Sequence, residues 1–145
     1  DGKTTLDYGL IGDVKPESVN AEALLKLIDS GIVPVFCAIS HDGYGELLNT
    51  NADTIASAIS AAINAELLYC FEKNGVLYSL NDPDSVIPSL DLGAYTRLKE
   101  EGRVAQGMIP KLDNAFSALR AGAASVRILH SESLLDGDAG TKLTL

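Results

Sequence analysis

Short apolar runs and stretches of helical periodicity alternate along this chain with only a few residues between them, and that alternation constrains its fold more than any other feature. Such alternation builds a sheet with many parallel neighbours, because each helix carries the chain back before the next strand begins. Residues 6–14 (LDYGLIGDV) hold two apolar pieces around Gly9 and Gly12, which suits a β-hairpin or a strand ending in a bulge. Pro16 opens a helical stretch in which Ala23, Leu24, Leu27 and Ile28 recur at helical spacing, with Gly31 as its stop. Residues 32–39 (IVPVFCAI) form a near-continuous β-branched and apolar run, the pattern of a strand buried on both faces of a parallel sheet. A turn at 41–45 leads to Leu47-Leu48, and a second helix carries Ile55, Ala56, Ile59, Ala62 and Ile63 on one face. Residues 67–71 read as a strand that turns at 72–75 into Val76-Leu77-Tyr78, and 81–90, with Pro83 and Pro88, reads as loop. Leu92, Tyr95 and Leu98 mark a short helix that stops near Gly102. Gly107 and Pro110 introduce another helix, with Leu112, Ala115, Phe116 and Leu119, ended by Gly122; 125–129 and 142–145 read as strands.

The pattern predicts one α/β domain over residues 1–145, a three-layer α/β/α sandwich with a mainly parallel central sheet. Ligands of such folds collect beyond the carboxyl ends of parallel strands, which directs attention to loops 40–53, 71–77, 102–111 and 129–141. A formal net charge of −9 disfavours the broad basic face that nucleic acid or anionic lipid requires. No apolar run approaches the ~20 residues that cross a bilayer and no signal-like segment opens the sequence, so neither a membrane nor a nucleic-acid partner is expected. Cys37 and Cys70 lie in apolar runs without CxxC spacing and read as free, buried thiols of a reduced cytosol. Met108 is the single methionine, so a sequence opening at Asp1 reads as a processed product, an excised domain or part of a longer chain.

Several constellations are missing: there is no GxxxxGK[ST], no GxSxG, and GYGELL at 43–48 lacks the third glycine of a dinucleotide loop. His41 and His130 lack zinc-site spacing and read as turn residues; the acidic stretch at 136–140 lacks the distal Glu of a calcium loop, so no metal site is expected. The segment Asn49-Thr50-Asn51-Ala52-Asp53 offers two helix caps where one suffices, leaving the other amide for a ligand. Asp53 in a first turn suits the helix dipole, whereas Lys111, in the first turn of the helix opened by Pro110, is mildly disfavoured there. Lys111 is either a solvated lysine in a tolerated position or a point charge added to the anion site that a helix start provides. A carboxylate and a lysine at two loop–helix junctions favour the second reading and point to phosphoryl chemistry.

These residues carry a resemblance. The stretches LLNTNADTIASAISAAINAELL at 47–68 and GMIPKLDNAFSAL at 107–119, with Gly140-Thr141, resemble the carboxyl-terminal half of the N-acetylglutamate kinases, a branch of the amino acid kinase family. The resemblance extends from about Leu10 to the last residue. It implies transfer of the γ-phosphoryl group of ATP, with Mg²⁺, to the side-chain carboxylate of an N-acylglutamate in arginine biosynthesis, this half supplying the nucleotide side of the cleft. By the resemblance Asn49 would bind the acylglutamate, Lys111 would stabilise the transferring phosphoryl group, and Asp53 would orient the catalytic lysines. Glu72, Lys73, Asn74, Gly75, Val76 and Leu77, with Arg103, Val104, Gly107 and Met108, would line the adenine and ribose pocket. It further implies an amino-terminal half not present here, which would carry the glycine-rich phosphate loop and a second lysine, and a cytoplasmic homo-oligomer. The chain departs from the family pattern in offering Phe71-Glu72-Lys73 where a Thr or Ser and an Asp are usual. Other kinases of the fold, or a non-catalytic nucleotide or amino-acid sensor domain, are the alternatives.

Overall fold

The computed structural model describes residues 9–79 and 81–145. Leu6 through Tyr8, the first part of the expected hairpin, lie outside the described residues. The elements are β1 (Ile11–Gly12), α1 (Ala21–Asp29), β2 (Ile39–His41), β3 (Leu47–Thr50), α2 (Ala52–Ala62), β4 (Glu66–Phe71), β5 (Ser89–Asp91), α3 (Leu92–Glu100), α4 (Ile109–Ala121), β6 (Ser125–His130) and β7 (Thr141–Thr144). Hydrogen bonding divides the strands into two sheets, ordered β1-β3-β2 and β4-β6-β7-β5. In the larger sheet β4 runs parallel to β6 from Glu66 opposite Ser125 to Phe71 opposite His130, β7 is antiparallel to β6, and β5 is parallel to β7.

The core lies between that sheet and α3 and α4. Leu112 and Phe116 of α4 close on Val126 and Ile128 of β6, Leu143 of β7 and Leu90 of β5, all buried. Gly122 ends α4 at a φ of 113°, a left-handed value that a side-chain-bearing residue adopts at a cost. α3 docks through Tyr95, whose ring stacks on Phe116 with centroids 5.2 Å apart. The Tyr95 hydroxyl donates to Asp113 Oδ1 at 2.7 Å, and Lys99 Nζ lies 3.0 and 2.9 Å from the two oxygens of the same carboxylate.

Burial, reinforced by the Asp113 carboxylate, pushes the Tyr95 phenol up to about 12. In the unfolded chain the same phenol ionises near its ordinary value of about 10. A raised folded-state value means that this contribution is complete below about pH 10 and disappears as the pH climbs through 12. Thermal unfolding across that window should therefore show stability falling as the pH rises, and Tyr95→Phe should flatten that part of the profile.

The amino-terminal third departs from its sequence pattern. β1 pairs in parallel with β3, Ile11 opposite Asn49 and Gly12 opposite Thr50. The helical stretch after Pro16 is two pieces, a 3-10 turn at Pro16–Ser18 and then α1, capped by Asn20. The apolar run 32–39 is not a doubly buried parallel strand: Val33 and Val35 are 84% and 92% exposed, and only Ile39 belongs to a strand. That strand, β2, is antiparallel to β3. The cause is the tight turn between them, in which Asp42 Oδ1 accepts the N–H groups of Tyr44 and Glu46; so short a connection permits only antiparallel pairing. The loop expected over 81–90 ends in β5, whose three residues are too few to show alternation. Cys37 and Cys70 are free, as expected, but exposed rather than buried.

Candidate functional site

Two helix starts meet at the mouth of a cleft. Asn51 caps α2, its side chain accepting the Asp53 N–H at 2.8 Å. The Asp53 carbonyl is pinned in turn, accepting the Ser57 hydroxyl at 2.8 Å and the Tyr69 hydroxyl at 3.0 Å. Burial pushes the Tyr69 phenol up, the Ser57 hydrogen bond opposes this, and the Asp53 charge adds to the rise, so the hydroxyl keeps its proton for that contact. α4 begins without a side-chain cap or an acidic residue in its first turn, with Pro110 early in the helix and Lys111 directly after it. The Lys111 ammonium lies 3.3 Å from Asp53 Oδ2 and 4.2 Å from the centroid of the Phe71 ring.

The two charged side chains are 33% and 26% exposed, so the pair contributes at most about 1 kcal/mol to stability. Its effect is to place a positive charge beside uncapped backbone N–H groups, where an anion is favoured. The cleft in front of it encloses about 610 Å³, within the range of small-molecule sites. Phe71, Glu72 and Lys73 at the carboxyl end of β4 form one wall, and Gly107, Met108 and Lys111 at the start of α4 form another. Parallel strands β4 and β6 end here, the location at which α/β sheets collect ligands.

The other residues singled out from the sequence are placed differently. Asn74 is exposed in the turn and Gly75 is buried behind it; neither lines this cleft. Val76 is buried, donating its N–H to Thr141 Oγ1 at 2.8 Å, and Leu77 forms a bridge with Val86. Val104 is part of the core. Arg103 lies over the Tyr78 ring, 4.0 Å from its centroid, and pairs with Glu101 at 3.5 Å. Asn49 is exposed on β3, does not line this cleft, and has no side-chain hydrogen bond among the described residues. Both histidines order turns: His41 Nδ1 accepts the Gly43 N–H at 3.0 Å and His130 Nδ1 accepts the Glu132 N–H at 3.2 Å.

Sequence reasoning missed Cys70 and Ser131 as lining residues, and it missed Phe71 and Tyr69 as neighbours of the charged pair. Alternation along β4 assigns Tyr69 and Phe71 to the core face. The available signal was position, because Phe71 is the last residue of a parallel strand.

The amino acid kinase family matches this sequence over residues 3–130. The chain belongs to the amino acid kinase family. Among the relatives of this family member, the acetylglutamate kinase of Cytophaga hutchinsonii is 46% identical over 150 aligned positions, covering 97% of this chain and 56% of that protein. The chain spans about half the length of the curated relatives it matches. The N-acetylglutamate synthase of Neisseria gonorrhoeae, solved with coenzyme A and L-arginine, shares the fold with a TM-score of 0.81 at 18% identity, over 96% of this chain and 33% of that one. The carbamate kinase of Giardia lamblia bound to AMP-PNP does so with a TM-score of 0.66 at 18% identity, over 86% of this chain and 49% of that one. The α/β class expected from the strand–helix alternation is therefore the class of its structural neighbours, with the strands in mixed sheets.

Proposed function

We propose that this chain is the nucleotide-binding half of an acylglutamate kinase, which moves the γ-phosphoryl group of ATP to the side-chain carboxylate of N-acetylglutamate or another N-acylglutamate in arginine biosynthesis. The observation that carries this reading is the Lys111–Asp53 pair, which joins two helix starts and sets Lys111 in the lining of the cleft. The 46% identity to an acetylglutamate kinase supports the acceptor, and the AMP-PNP-bound carbamate kinase of the same fold supports the donor.

In this reading a carboxylate oxygen of the acceptor forms a bond to the γ-phosphorus as the bond to the β,γ-bridging oxygen breaks, giving an acyl phosphate and ADP. The attacking carboxylate is already ionised at neutral pH and needs no general base. Catalysis consists of positioning and of neutralising charge on the transferred group. Lys111 supplies positive charge toward the phosphates, and Asp53 holds the ammonium in place. Mg²⁺ arrives as part of the nucleotide substrate, carried on its phosphates. Glu72, Lys73, Gly107 and Met108 face the nucleotide; Asn74 to Leu77, Arg103 and Val104 support the wall behind it. Asn49 binds the acylglutamate from the neighbouring sheet. The remaining half of a longer polypeptide, adding a second lysine and a phosphate loop, completes a cytoplasmic homo-oligomer.

The test is phosphoryl transfer by a polypeptide of the relatives' length, supplied with MgATP and N-acetylglutamate, with the acyl phosphate trapped by hydroxylamine. Hydroxamate should form there and be absent with the 145-residue chain alone. No hydroxamate from the longer polypeptide defeats the proposed activity, and turnover by the chain alone defeats the division of labour.

A further inference from the structure

The aromatic ring under Lys111 has no place in the charge-neutralising chemistry above, yet it is the ammonium's second contact. Lys111 meets the carboxylate through one oxygen at 3.3 Å, and a four-carbon stem with a single contact of that length is poorly fixed. Lys99 provides the internal contrast. Both oxygens of Asp113 hold its ammonium, at 3.0 and 2.9 Å, and the nearest ring, Tyr95, lies farther off at 5.4 Å. At Lys111 the ring is 4.2 Å away and replaces the second oxygen.

The ring is itself held. Phe71 stacks on Tyr69 two residues earlier on the same face of β4, with centroids 6.1 Å apart and planes 16° from parallel. The Tyr69 hydroxyl reaches the Asp53 carbonyl. One strand face thus touches both partners of the pair, the ammonium through Phe71 and the backbone of the carboxylate residue through Tyr69.

We propose that Phe71 is a positioning residue that confines the Lys111 ammonium by a cation–π contact, aiming it into the cleft without adding negative charge. The reason is electrostatic. A second carboxylate would fix the ammonium equally well, but it would repel the polyanion that the site receives, whereas a ring face attracts a cation and carries no net charge. This inference rests on the acylglutamate kinase reading for its kinetic consequence but not for its geometry.

In the longer polypeptide, Phe71→Leu, which keeps an apolar side chain and removes the ring, should lower kcat about fivefold while the KM for ATP stays within about twofold. Phe71→Tyr, which keeps the ring, should retain kcat within about twofold. On the 145-residue chain, acetylation of Lys111 by an N-hydroxysuccinimide ester, read by peptide mass spectrometry, should run several-fold faster in Phe71→Leu than in the parent or Phe71→Tyr. Equal labelling rates in the parent and Phe71→Leu overturn the proposal, as does a Phe71→Tyr chain as impaired as Phe71→Leu. A longer polypeptide that transfers no phosphoryl group at all defeats the proposed activity instead, and the labelling rates then decide the role of Phe71 alone.

Discussion

Lys111→Ala, introduced into a polypeptide of the relatives' length, is expected to lower kcat about 10²–10³-fold with the fold intact. Removing one preorganised charge-stabilising donor from an active site typically costs this much, because the group acts where charge develops. The structural cost is small by comparison: the side chain is a third exposed, and its partnership with Asp53 is worth at most about 1 kcal/mol. Steady-state kinetics beside a circular dichroism melt separate the two effects. A nucleotide or amino-acid sensor would lose little function on the same substitution, so a variant that keeps its turnover would remove the kinase reading of this site.

The largest expected loss of stability lies at Gly140. Its φ of +86° is left-handed, and an added Cβ would collide with the Ile128 carbonyl oxygen and come within 2.7 Å of Leu129 Cβ. The obstacle is partly the backbone of the central strand β6, which has no freedom to retreat. Gly140→Ala should cost about 2–5 kcal/mol, combining ~1–2 for the backbone conformation with ~1–3 for overpacking. Urea unfolding should show a lowered midpoint at an unchanged slope. Gly137→Ala is the internal control, since nothing lies within 4 Å of the position its Cβ would occupy, and its midpoint should hardly move.

The elements that hold the charged pair were legible because their signals are local. Asn51 ahead of an alanine-rich periodic stretch, Pro110 at the start of another, and β-rich runs at 67–71 and 125–129 mark boundaries within a few residues of those observed. Lys111 stood out because a cation in a first turn runs against the dipole. The run 32–39 was misread for an equally physical reason. β-branched apolar residues record a tendency to be covered but not what covers them, and here a turn built around Asp42 fixes strand direction instead. Asn49 and Asn51 looked interchangeable as caps; the choice depends on where β3 ends, which pairing with β1 and β2 decides. Phe71 stood out only as a departure from the family pattern, because its type and spacing describe a core position and only the third dimension brings it beneath an ammonium group.

The hydrogen bond between Val76 and Thr141 joins positions 65 residues apart, and this sets a timetable for the chain as it is made. At roughly 5–20 residues per second, several seconds separate synthesis of the two. Throughout that interval the segment behind the cleft wall waits with an unpaired amide, and β4 likewise waits for β6. A ribosome stalled before Thr141 emerges would therefore present a nascent chain whose cleft wall is unfinished.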